Sequence, residues 1–222
     1  MKLYFEVEVA LAYYNFYLAI LLVLMSFPCC AGFSVSGSKL LDSSGNPFII
    51  RGINFPYAWY SERLDALSDI AQVGVNTVRV VLSNGVVWKK SEKAEVLAVI
   101  SECKRNKVIC ILEVHDATGF GEKEGAASLA SVVEYWLSIA DALRGQESYV
   151  LINIANEPFG NGVQADLWVK EHQKAIQTLR YYGLKHTFIV DAPNWGQDPN
   201  GVMIARASEI ENVDVLSNTM FS

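Results

Sequence analysis

Val150-Leu151-Ile152-Asn153-Ile154-Ala155-Asn156-Glu157-Pro158 is an apolar run that turns polar at its end. Its first part is fit for burial on both faces, as in a strand inside a parallel sheet. Its last part is an amide, a carboxylate and a proline. Pro158 lacks the N–H that a ladder needs, so a strand cannot run on past Glu157. The stretch therefore predicts a buried strand that delivers Asn156 and Glu157 to a site where it stops.

Similar runs recur at Phe48–Phe55, Thr77–Leu82, Val108–Val114 and Thr187–Val190, with a last fragment at Met220–Phe221. The quoted strand itself reads as Tyr149–Ala155. Helical patterns lie between these runs, near 61–72, 93–105, 128–143, 167–182 and 203–210. Such alternation predicts βα units on a parallel sheet, either a doubly wound open sheet or a (β/α)8 barrel. No Gly-x-Gly-x-x-Gly follows the first run, and no phosphate loop is present. Polar residues instead gather at the carboxyl ends of several strands. Asn54 ends the first, His115-Asp116 the third, Asn156-Glu157 the fourth, and Asp191 the fifth, with Asn194-Trp195-Gly196-Gln197 close behind. Polar groups at the carboxyl ends of different strands mark a barrel mouth. The expected fold is α/β, an incomplete (β/α)8 TIM barrel of about six of the eight units. Gly32 to Asn46, with its Ser-Gly and Ser-Ser-Gly-Asn turns, predicts a small N-terminal hairpin placed to cap the barrel bottom.

The chain has 222 residues, 51% of them hydrophobic and 19% charged, which suits a sizeable core. Its net charge is −6 with no basic run, which argues against a nucleic-acid partner. Five Trp and ten Tyr in an acidic chain fit a neutral, hydroxylated ligand, because sugars stack on aromatic faces. Trp59, Trp88 and Trp195 fall on strand-to-helix loops at the expected mouth, whereas Trp136 and Trp168 fall at apolar helix positions and predict packing.

Residues 1–31 stand apart. Phe16 to Phe27 is apolar except for Ser26, and Pro28-Cys29-Cys30-Ala31 puts small residues where a signal peptidase reads. Ahead of the run, Lys2 faces Glu6 and Glu8, so the expected positive charge is missing. The alternative is a membrane anchor, but a spanning helix needs roughly 20 apolar residues. The expectation is a signal peptide over residues 1–31, a barrel over 32–222, and a secreted, extracellular protein with no stable membrane association afterwards. Cys103 and Cys110 are open to two readings, a disulfide or two separately buried thiols. No C-x-x-C or His pair at ligand spacing occurs, so neither a metal nor a cofactor is expected.

Arg79 lies inside Val78-Arg79-Val80-Val81-Leu82, a strand otherwise fit for burial. A buried guanidinium is costly unless paired, so a carboxylate in the barrel interior is its expected partner. The alternative is an edge strand with Arg79 in solvent.

In these residues the chain resembles glycoside hydrolase family 5, in which Asn-Glu-Pro closes the fourth strand. Asn76-Thr77-Val78-Arg79, Leu112-Glu113-Val114-His115-Asp116-Ala117-Thr118-Gly119, and Asp191 through Trp195-Gly196-Gln197 agree in order. The set is most similar to the secreted endo-β-1,4-mannanases of that family. The resemblance implies a retaining double displacement on β-1,4-linked polysaccharide, mannan, glucomannan or a related polymer. It implies Glu157 as acid/base, Asn156 on the sugar 2-hydroxyl, Arg79 supporting the nucleophile, and His115 lining the cleft. Trp59 and Trp195 are the expected sugar platforms. Many of these mannanases carry histidines where this chain has Phe55 and Tyr57. An endo-β-1,4-glucanase of the same family is the runner-up, and a non-catalytic secreted polysaccharide-binding protein is the reading from another class.

The chemistry asks for one protonated and one ionised carboxyl, roughly 5–5.5 Å apart in a retaining enzyme. The resemblance puts the second, a nucleophilic Glu, on a seventh strand, and the sequence stops at Asn218-Thr219-Met220-Phe221-Ser222, near the start of a sixth. The expectation is a fragment that is inactive as written.

Overall fold

A computed structural model describes residues 32–222. The expected signal peptide, with Cys29 and Cys30, lies outside the described residues. A hairpin comes first, β1 (Ser34–Ser36) paired antiparallel with β2 (Lys39–Leu41). Six main strands follow: β3 (Gly52–Phe55), β4 (Thr77–Leu82), β5 (Ile109–Val114), β6 (Val150–Asn153), β7 (Phe188–Val190) and β8 (Thr219–Phe221). The helices between them are α1 (Ala66–Gln72), α2 (Lys93–Arg105), α3 (Leu129–Ser138), α4 (Ala140–Leu143), α5 (Ala165–Tyr181) and α6 (Val202–Glu211). The main strands pair in chain order, each parallel to the next. A doubly wound sheet reverses its order part-way, so this order selects barrel winding over the open-sheet alternative. Arg79 sits on β4 between two paired neighbours, which excludes the edge-strand reading.

Alternation along the strands sorts the side chains. Val78, Val80, Leu82, Leu112, Val114, Ile152, Phe188 and Val190 bury outward, in the main core with Trp136 and Trp168. Ile111, Leu151 and Ile189 point inward and form a second apolar cluster with Phe33, which leads into β1. Asn218 ties the hairpin to this end, donating to the Phe33 carbonyl and accepting from the Val35 N–H, both at 3.0 Å. The hairpin therefore plugs the amino-terminal end of the strands, as expected. Above this layer the inward positions turn polar, with Glu113 and Asn153 in register on β5 and β6.

Two buried tryptophans do more than pack. Trp136 on α3 donates its indole N–H to the Ile154 carbonyl at 2.8 Å, and Trp168 on α5 donates to the Asp191 carbonyl at 3.0 Å. Both carbonyls lie where β6 and β7 end, so the helices brace the strand ends that carry the polar residues.

Several boundaries differ from expectation for identifiable reasons. β3 pairs only from Gly52, because Asn76 accepts from the Arg51 N–H and donates to the Ile49 carbonyl, both at 2.8 Å. That side chain occupies backbone groups a strand would use, and Ile49 stays exposed. The pattern at 128–143 is two helices, interrupted at Ile139. β6 stops at Asn153, four residues before Glu157, and the chain reaches Pro158 through a bend rather than a ladder. Cys103 on α2 and Cys110 on β5 are free, buried thiols.

Candidate active site

Glu157 adopts a positive φ of 38°. That left-handed backbone is unusual for a residue with a Cβ and persists only where neighbours hold it. Asp191 Oδ2 accepts the Glu157 N–H at 2.9 Å, and the Gly119 N–H donates to the Glu157 carbonyl at 2.9 Å. The residue is thus pinned from β7 and from the loop after β5.

Arg79 organises the layer beneath. Its Nη2 donates to Asn153 Oδ1 at 2.6 Å and to Asn156 Oδ1 at 2.9 Å. It also faces two carboxylates, Glu113 at 3.4 Å and Asp191 at 3.6 Å. The interior partner expected for this cation is therefore a pair. Asn156 is fixed at its other end, donating to Thr118 Oγ1 at 2.9 Å. His115 Nδ1 lies 3.0 Å from Glu113 Oε1, which orients the ring with Nε2 away from that carboxylate.

Burial is the largest influence on all three acids. It pushes the Glu157 carboxyl up, and the nearby Asp191 charge adds to this, while His115 and Arg79 pull the other way. Burial raises Glu113 against its bond to His115 and the charge of Arg79. Burial also raises Asp191 against the Glu157 N–H, Arg79 and Asn153. A carboxyl that keeps its proton beside an ionised neighbour is suited to general-acid work.

Glu157 opens into a cleft of about 500 Å³ that Asn54, Trp59, Arg79, His115 and Asn156 also line. The half-exposed Trp59 ring meets Trp88 and His115 edge-on, each at 5.2 Å between centroids. Five of the six expected site residues thus share one cleft. Trp195 stands apart from its wall. Its indole N–H donates to Glu122 Oε2 at 2.9 Å, and its ring covers Gly119 so closely that a Cβ there would come within 2.1 Å. Phe55 and Tyr57 are buried in the main core and are not part of the cleft wall. Asp116 accepts from Ser83 and from the Val86 and Val87 N–H groups, so it shapes the loop before Trp88. Among the described residues, no group of three or more His, Cys, Asp or Glu is placed to hold a metal ion.

Glu113, Asn153 and Thr118 belong to this network without having been singled out as site residues. The available signal was positional. Asn153 interrupts an apolar run, and Glu113 precedes His115 by two residues, on the same face of the strand.

Residues 41–222 match the cellulase family, glycosyl hydrolase family 5. The chain belongs to glycosyl hydrolase family 5. It is 49% identical over 202 residues to a mannan endo-1,4-beta-mannosidase of Cellvibrio japonicus, covering 90% of this chain and 47% of that protein. With a mannan endo-1,4-beta-mannosidase of Streptomyces lividans it shares 48% identity over 192 residues, 86% of this chain and 50% of the relative. The mannohexaose complex of Thermomonospora fusca beta-mannanase superposes with a TM-score of 0.84 at 48% identity, covering 86% of this chain and 64% of that one. These family 5 neighbours are (β/α)8 barrels, and the six parallel strands here are the corresponding part of one. The chain spans about half the length of the curated relatives it matches.

Proposed function

We propose that this family 5 site serves endo-acting, retaining hydrolysis of β-1,4-mannan, with Glu157 as acid/base. The observation that carries this reading is Glu157 itself, a carboxyl raised by burial and by Asp191 that faces an aromatic-walled cleft. In this reading Glu157 protonates the departing sugar oxygen and later takes a proton from water. Asn156 Nδ2, which bonds Thr118, turns to the sugar 2-hydroxyl. Arg79 supplies a fixed cation, which would favour an ionised nucleophile nearby. His115 lines the cleft, and Trp59 offers an aromatic face to a sugar ring there, whereas Trp195 lies outside the cleft wall. The mannanase relatives support the mannan preference.

A retaining displacement needs a second carboxyl about 5–5.5 Å from the first. Glu157 is the one carboxylate among the described residues that lines the cleft. Residues 1–222 alone are therefore proposed to bind mannan without turning it over, with the nucleophile supplied from outside this stretch. Residues 1–31 are proposed to direct export, so that the substrate is an extracellular polysaccharide.

The test compares initial rates on mannan and on a soluble cellulose derivative, using a protein that spans the full length of the mannanase relatives. Faster cleavage of mannan is expected. Faster cleavage of the cellulose derivative would make the site an endo-β-1,4-glucanase, and binding without cleavage would make it a polysaccharide-binding protein.

A further inference from the structure

Asp191 directly follows β7, is buried, and uses its two oxygens differently. Oδ2 accepts the Glu157 N–H at 2.9 Å and faces Arg79 Nη2 at 3.6 Å, while Oδ1 accepts from Asn153 Nδ2 at 2.8 Å. Trp168 fixes its backbone from behind through the 3.0 Å bond to its carbonyl. Asp191 is not part of the cleft wall, so it does not reach a substrate there. Yet it accepts the Glu157 backbone N–H inside the bend that follows β6, where φ is 38°.

We propose that Asp191 is the positioning residue for Glu157: its carboxylate clamps the left-handed backbone at Glu157 and sets a second negative charge beside that side chain. This extends, and rests on, the reading of Glu157 as acid/base.

The consequence is a coupled pair. Asp191 has two hydrogen-bond donors and the Arg79 cation around it, which favour its ionised form against the burial that raises its carboxyl. No described donor is hydrogen-bonded to the Glu157 carboxyl oxygens. With Asp191 ionised, its charge opposes ionisation of Glu157, which then keeps its proton to higher pH. The charged and titratable groups facing Glu157 are Asp191 from β7, Arg79 from β4 and His115 from the end of β5. The last two pull against Asp191, so Asp191 is the neighbour whose removal lowers the Glu157 midpoint. A group that only held the loop in place would lack this electrostatic signature.

The experiment is carbon-13 NMR of the full chain labelled at the Glu side-chain carboxyls, titrated with pH and assigned with Glu157→Gln. In Asp191→Asn the amide carbonyl still accepts the Glu157 N–H, but the charge is gone. The Glu157 midpoint is expected above that of an ordinary glutamate in the native chain and lower in Asp191→Asn. An unchanged midpoint in a variant with a native-like amide spectrum overturns the proposal. If Asp191→Asn does not fold, Asp labelling of the native chain decides. The Asp191 and Glu157 curves must each carry an inflection at the other's midpoint, and two independent single-step curves overturn the proposal. The catalytic reading fails separately. Full mannan turnover by Glu157→Gln, in a protein spanning the length of the mannanase relatives, would remove the acid/base role and leave the coupling standing.

Discussion

Arg79→Met removes the cation that Glu113 and Asp191 share while keeping an apolar stem of similar length. Glu113 loses a partner at 3.4 Å and Asp191 one at 3.6 Å. The amide oxygens of Asn153 and Asn156 lose donors at 2.6 and 2.9 Å. Breaking one side of a buried ion pair costs about 3–5 kcal/mol. The Arg79 side chain keeps 24% of its exposure, so solvent screening sets the expected cost near the low end. About 3 kcal/mol at about pH 7 is the working figure. Its pH dependence has a definite sign. Burial already holds Glu113 and Asp191 above the ordinary carboxylate range, and losing Arg79 pushes both higher. An acid whose folded-state pKa is raised folds best when protonated. Its contribution is intact below its unfolded pKa, about 4, and is lost as pH rises through the folded value. The cost of Arg79→Met should therefore be smaller near pH 4, where only the bonds to Asn153 and Asn156 are lost, and full near pH 7. Urea unfolding at both pH values, with an unchanged denaturant slope, measures it. An equal cost at the two pH values, or one below about 0.5 kcal/mol at about pH 7, would refute the pairing.

Trp168→Phe keeps most of the ring volume but removes the donor to the Asp191 carbonyl. The stranded carbonyl and small void should cost about 2–3 kcal/mol, read as a lower urea midpoint, and a neutral result would mean the indole only fills space. Gly119→Ala adds a Cβ that would lie 2.1 Å from the Trp195 ring, at a backbone φ of +73°. It should cost about 1–3 kcal/mol and shift the Trp195 indole N–H signal away from its bonded position on Glu122, and an unmoved signal would contradict the packing.

The fold was legible because its strands are buried on both faces and read as nearly continuous apolar runs. Thr77–Leu82 is matched to the residue. Arg79 was legible for the same reason, since a charge inside such a run demands a partner. Which partner was not legible. Glu113, Asn153 and Asp191 meet Arg79 through the register of four strands, and no local pattern encodes register. Glu157 was legible through Asn-Glu-Pro, but its left-handed backbone was not, because Asp191 and Gly119 impose it from distant positions. Trp136 and Trp168 read as packing residues, and their burial agrees. Their bonds to the Ile154 and Asp191 carbonyls depend on where α3 and α5 lie against the sheet, which periodicity does not specify. Phe48–Ile50 misled in the opposite direction. Its apolar residues suit a strand, but the Asn76 side chain takes the backbone groups that pairing would need.

The most direct test of Glu157 as acid/base is turnover on unactivated mannan by Glu157→Gln, in a protein spanning the full length of the mannanase relatives. The substitution should cut turnover by about 10²–10⁴-fold, the range for loss of a general acid, with the unfolding midpoint and circular dichroism unchanged. Native turnover by the variant would contradict the assignment, and loss of fold together with activity would make Glu157 a structural partner of the Asp191 turn.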